Sequence, residues 1–189
     1  MQALRLRPFI SSKHRQQAGF TFLELVITIA VGAILLAAAV PSFQSLISNN
    51  KLTATTNTLV FSLQAARSEA IKRATPTGVC TSSSSLELDA TCSAGSGYVG
   101  GWIAYVDDNT NGTRDSNEEI IMAVEDRGAA FEITPAAPFV NQVYFDDSGS
   151  STNTSGVPLS GQFQISFGDT TEERTVRILA TGRISTTLP

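Results

Sequence analysis

The chain has 189 residues, 42% hydrophobic and only 16% charged, with a formal net charge of −4; soluble domains usually carry about 25% charged residues. Residues 1–19 hold Arg5, Arg7, Lys13 and Arg15 and no acid, leaving nine of the 13 basic residues and all 17 acids to the remainder, a net of −8. Such an acidic body argues against general electrostatic binding of nucleic acid. The single histidine, His14, lies in the basic head, so the body contains no Ser-His-Asp or Cys-His set.

From Phe20 to Val40 run 21 residues interrupted only by Thr21, Glu24, Thr28 and Gly32. A helix of that length spans roughly 30 Å, the thickness of a bilayer core. The four cations before it predict a cytoplasmic N-terminus and a body across the membrane. Glu24 is the anomaly, since a carboxylate at the centre of a membrane helix costs on the order of 2.5–3.5 kcal/mol. It needs water at the interface, a proton or a partner. A cleaved secretory signal ending at Ala37-Ala38-Ala39 is the competing reading. Against it, the apolar run exceeds the usual ~7–15 residues and carries a glutamate.

The stretch Gly19-Phe20-Thr21-Phe22-Leu23-Glu24-Leu25 resembles the processing site of type IV pilins and pseudopilins. The resemblance implies that a prepilin peptidase cuts after Gly19 on the cytoplasmic side and methylates the new amine of Phe20. Glu24 then becomes the fifth mature residue. The resemblance implies that it pairs with the Phe20 amine of a neighbouring subunit during assembly. Pro41 matches a family proline near the membrane exit, where it would kink the helix.

Beyond the membrane, Leu52, Leu59, Leu63, Ala66 and Ala70 fall on one helical face. Lys51, Asn57, Gln64, Arg67 and Lys72 fall elsewhere and read as solvated. Pro76 and Gly78 end the pattern, which predicts one helix from Phe20 to Arg73. The segment from Leu59 to Arg73, with Val79-Cys80 and Gly101 to Asp107, resembles the GspH/FimT family. Its members are minor pseudopilins of type II secretion and minor pilins of type IV pili.

Strands are predicted over Gly101–Val106, Glu119–Val124, Phe131–Thr134 and Val140–Phe145. Phe163, Ile165 and Phe167 alternate with polar residues, as do Arg174, Val176, Ile178 and Ala180, which predicts a C-terminal hairpin turning at Gly168-Asp169. Residues 82–85, 93–101 and 148–156 read as loops, the last as a flexible one. The expected class is α+β, with an antiparallel β-rich domain packed on the second half of the helix.

Cys80 and Cys92 are the only cysteines. A periplasmic body favours a disulfide between them, and two free buried thiols are the alternative. The segment Asp107-x-Asn109-x-Asn111-Gly112-x-x-Asp115-x-x-Glu118 fits a calcium-loop pattern. It fits a bare hairpin turn equally in composition, and its flanks read as strands rather than the helices of an EF-hand. In the tail, Gly182 and Arg183 match part of a Gly-Arg-x-Arg motif that some family members use to capture DNA, with Ser185 replacing the second arginine. The Asp107-Asp108 and Asp146-Asp147 pairs read as solvated loop acids, and no catalytic set is found.

These readings predict four segments: a cytoplasmic leader (1–19), a transmembrane assembly helix (20–40), its amphipathic continuation (41–75) and a periplasmic β-domain (76–189). The expected role is a non-enzymatic minor pilin or pseudopilin anchored in the bacterial inner membrane. Its expected partners are the prepilin peptidase, other major and minor pilins, the inner-membrane assembly platform and membrane lipid. A DNA-binding minor pilin acting in natural transformation is the alternative. No cofactor is required, and calcium is the one candidate.

Overall fold

The computed structural model describes residues 19–95, 97–168 and 172–187, with the backbone alone at Pro41. The leader therefore lies outside the described residues apart from Gly19. Two compact units divide the chain between Ser42 and Phe43.

In the first unit the described residues form the apolar part of α1, whose full range is Phe22–Arg73. The helix starts two residues later than Phe20 because Thr21 caps it: its hydroxyl accepts from the Glu24 N–H at 3.2 Å. Large apolar side chains from Phe22 to Val40 stand exposed. The helix continues through Pro41; the expected kink there concerns a side chain outside those described.

The second unit is built on the rest of α1. Leu52, Leu59, Leu63, Ala66 and Ala70 are fully buried, as their spacing predicts. Among the described residues nine strands follow: β1 Thr77–Thr81, β2 Trp102–Val106, β3 Ile120–Val124, β4 Phe131–Pro135, β5 Gln142–Phe145, β6 Ser151–Thr152, β7 Gly161–Phe167, β8 Glu173–Ile178 and β9 Ile184–Thr187. They form two antiparallel sheets, ordered β3-β2-β1-β5-β6 and β4-β7-β8-β9.

The first sheet is buried on both faces at its strands β1 and β2. Val79, Trp102, Ala104, Val143 and Phe145 join the helix stripe in the main core. Cys80, Ile103 and Tyr105 alternate to the other face, where Ala90 and Cys92 cover them. Cys80 and Cys92 are joined in a disulfide. Closing so short a loop contributes about 3 kcal/mol in the chain-entropy model. β1 needs Gly78, because a Cβ there would meet the Tyr105 ring at 2.5 Å. The second sheet is one-sided. Ile133, Phe163, Ile165, Val176 and Ile178 face the core, while Glu132, Thr134, Gln164 and Arg177 face outward.

Polar ties fix the helix to the body. The Trp102 indole donates to Ser62 Oγ at 2.9 Å, and the Thr77 hydroxyl donates to the Ala66 carbonyl at 3.0 Å. Arg73 grips Glu119 bidentately at 2.7 and 3.0 Å, and its Nε donates to Glu69. These arginine contacts hold the carboxyls of Glu69 and Glu119 below the usual range, with Lys72 the largest influence on Glu69. Arg67 departs from the solvated reading. Its Nε donates to the Gly149 carbonyl at 2.9 Å and its Nη2 to the Thr181 carbonyl at 3.2 Å.

Three strands differ from the sequence reading. β1 and β9 carry no expected strand, and β6 lies inside the segment read as a flexible loop, where Ser151 and Thr152 are buried against β5. Removing core volume from the helix stripe has a direct cost. Leu63→Ala is expected to lower stability by about 2–5 kcal/mol, whereas Gln64→Ala on the exposed side stays within about 0.5 kcal/mol. Denaturant melts of the full chain in detergent, read by the fluorescence of its lone tryptophan, Trp102, check both.

Candidate functional site

Three segments carry the residues singled out above. The first is the start of α1. Gly19 and Phe20 lie outside the helix, and Phe20 is 79% exposed. Thr21 and Glu24 make a capping pair of the Thr-x-x-Glu type, with Thr21 at the N-cap and Glu24 three residues on. Thr21 was missed as a functional position, although that four-residue spacing is its signal. Glu24 is exposed in the first turn, where the helix dipole favours a negative charge. The helix behind it is long and apolar enough to cross a membrane, and its apolar window has no residue buried within the protein.

The second segment is the loop between β2 and β3. Asp107, read as a solvated acid, is fully buried. Its Oδ1 accepts from the Asn111 N–H at 3.1 Å. Its Oδ2 accepts from the Gly112 N–H at 2.7 Å and the Tyr144 hydroxyl at 2.6 Å. Glu118, almost as buried, accepts from the Asp108 N–H at 2.9 Å and the Asp115 N–H at 2.8 Å. The Asn109 and Asn111 amides both donate to Asp115 Oδ2. Gly112 takes φ +78°, the left-handed turn its residue type permits. Asp107, Asn109, Asn111, Asp115 and Glu118 are therefore brought together, but their oxygens hold N–H groups of the loop itself. Among the described residues no three His, Cys, Asp or Glu side chains are grouped to hold a metal ion. The flanking elements are strands.

This loop closes over the outer face of the first sheet. Arg114, 7% exposed, donates to the Ala90 and Glu118 carbonyls at 3.0 and 3.2 Å, tying the loop to the disulfide segment. Gln142 donates to the Tyr105 hydroxyl and the Gly112 carbonyl. Desolvation is the main cause that pushes the hydroxyls of Tyr98, Tyr105 and Tyr144 above the usual tyrosine range, with Asp107 adding to the last two.

The third segment is the β8–β9 turn. Gly182 has φ +72°, and a Cβ there would collide with the Gly149 carbonyl and crowd Arg67. Its glycine identity is explained by this close approach. Arg183 is exposed beside it. The Asp146 carboxylate likewise serves its own loop, accepting from the Ser148 and Ser150 N–H groups.

Asp107→Ala is expected to cost about 1–3 kcal/mol for each buried donor left unpaired, read as a lower melting temperature. Calcium at millimolar concentration is expected to leave the wild-type melting temperature unchanged; a rise would reveal a native-state site. The tyrosines set an alkaline limit. Because their folded-state values are raised, their contribution is complete below the ordinary tyrosine value of about 10 and declines as pH climbs above it. Thermal melts are expected to fall above about pH 10, and Tyr144→Phe to soften the fall.

Residues 14–40 match the prokaryotic N-terminal methylation motif. A crystal structure of the type IV minor pilin FimU of Pseudomonas aeruginosa (strain PAO1) is similar to this chain at 19% identity, covering 75% of this chain and 94% of that one, with a TM-score of 0.51. A second crystal form of the same minor pilin matches at 18% identity over the same shares, with a TM-score of 0.44. No curated relative matches the sequence. Residues 55–182, more than half of the chain, match the family described as type II transport protein GspH. With its methylation motif, its pilin-like fold and its exposed N-terminal helix, the chain belongs to the GspH family of pilin-like structural subunits.

Proposed function

We propose that this protein is a minor pilin or pseudopilin of the bacterial inner membrane, matured after Gly19 and built into a type IV pilus or a type II secretion pseudopilus through α1. The observation that carries the reading is Glu24 at the head of an unburied apolar helix, four residues after Phe20. Cleavage by a prepilin peptidase on the cytoplasmic face frees the Phe20 amine, which is then methylated. A secondary methylamine stays cationic at neutral pH. In an apolar environment it attracts a carboxylate far more strongly than in water. Glu24 of one subunit then pairs with the Phe20 amine of the next, and neither charge stays buried alone. The assembly platform and other pilins supply the neighbours, and the body lies in the periplasm, where its disulfide is stable.

The DNA-capture reading rests on Gly182 and Arg183, one arginine where the motif has two, on an acidic body, and gives little phosphate affinity. The structural-subunit reading takes precedence because it uses the helix, the carboxylate and the cleavage site together.

Intact mass and N-terminal sequencing of the protein from membranes test the reading directly. A mature chain beginning at N-methylated Phe20 is expected only when the peptidase is present. A chain retaining Met1, or starting after Ala39, overturns it. Glu24→Gln is expected to be processed and membrane-inserted as usual yet to disappear from sheared filaments. Normal incorporation of that variant would remove the charge-pair mechanism.

A further inference from the structure

Arg127 lies between two surface patches of opposite character. On one side it lines a groove of about 380 Å³ with Lys51, Ala54, Phe131 and Phe167. The two rings are 4.6 Å apart, and Lys51 Nζ lies 5.2 Å from the centre of the Phe167 ring. Arg127 Nη2 donates to Thr55 Oγ1 at 3.2 Å, while its Nε is buried without a partner. Among the described residues neither cation makes an ion pair. On the other side Arg127 shares a recess with Leu86 and Glu125. Glu87 and Asp126 line the adjoining hollow. Here the segment Leu86-Glu87-Leu88-Asp89 projects two leucines, Leu86 at 70% and Leu88 at 96% exposure.

The two patches are chemical complements. One is an aromatic groove edged by cations, and the other is a leucine knob edged by carboxylates. A branched aliphatic chain on paired rings loses apolar surface to water, and opposed charges at the rim set the register.

We propose that a second copy of this chain fills the groove. Leu88 of one copy seats on Phe131 and Phe167 of the other, while Glu87 and Asp89 meet Lys51 and Arg127. Because the patches adjoin on either side of Arg127, a two-fold axis beside that residue brings each onto its complement twice. This is the closed, isologous arrangement of a symmetric pair. Two-fold pairing also hands Arg127 a carboxylate from outside the chain.

The test uses the full chain in membranes of a host lacking other pilin-class subunits. Leu88 is replaced by the photo-crosslinking residue p-benzoylphenylalanine, and two differently tagged copies are co-expressed and irradiated. An adduct joining the two tags is expected, mapped to the groove residues Ala130, Phe131 or Phe167. Lys51→Glu with Arg127→Glu is expected to cut its yield roughly tenfold, as is Glu87→Lys with Asp89→Lys, and the combined reversal to restore it. If the groove variants fail to fold by Trp102 fluorescence, Glu87→Gln with Asp89→Asn on the exposed loop gives the same reading. No adduct between copies, an adduct mapped elsewhere, or a yield indifferent to every charge change overturns the proposal.

Discussion

A β-domain of two sheets needs one apolar surface on which both can close, and here that surface is a helix. The stripe from Leu52 to Ala70 lies in one core with the first sheet's Val79, Trp102 and Phe145 and the second sheet's Phe163, Ile165 and Val176. Short strands such as these hold little stability alone, so the body's order follows from burial against α1. The polar ties then set the register. Ser62 takes the Trp102 indole, and Ala66 takes the Thr77 hydroxyl through its carbonyl. Tyr98 wedges its ring edge against Phe163 at 4.9 Å and donates to the Val79 carbonyl, bridging the two sheets.

The same helix has two solvents. Its first part exposes leucine, isoleucine and phenylalanine that water would penalise, and its second part hides leucine and alanine in the body. One continuous element thus carries an exposed apolar stretch in its first part and a stripe of the buried core in its second. The capping pair Thr21–Glu24 starts that element with a carboxylate that makes no ion pair among the described residues.

The helix was legible because both of its signals are local and periodic: an unbroken apolar run, then leucines and alanines at helical spacing. The alternating strands β7 and β8 were legible for the same reason. β1 was not, because a strand buried on both faces shows no apolar–polar alternation, and Gly78 interrupts its β-branched residues Thr77, Val79 and Thr81. β6 and β9 are short and polar, and they are strands because of their neighbours, Tyr144 and Phe145 for one and Val176 to Ile178 for the other. Asp107 was misread as solvated because its burial depends on Tyr144, 37 residues away. Arg67 was misread likewise, since its acceptors lie on Gly149 and Thr181. The methylation motif matched over residues 14–40 was readable because it is a local sequence pattern. The groove at Arg127 gathers residues from α1, β4, β7 and a loop, a juxtaposition that no linear pattern announces.

The polypeptide leaves α1 at Arg73 and enters β1 at Thr77, the middle strand of the first sheet. A filament under tension would pull on this body through α1, parallel to the helix axis. Such a load slides the buried stripe along its bed, so Leu52, Leu59 and Leu63 resist together rather than peeling away in turn. The guanidinium anchors at Arg67 and Arg73 cross the same sliding plane and act as rivets at its far end. The body is therefore built like a lap joint, a form that bears shear well and yields most easily when prised open from one edge.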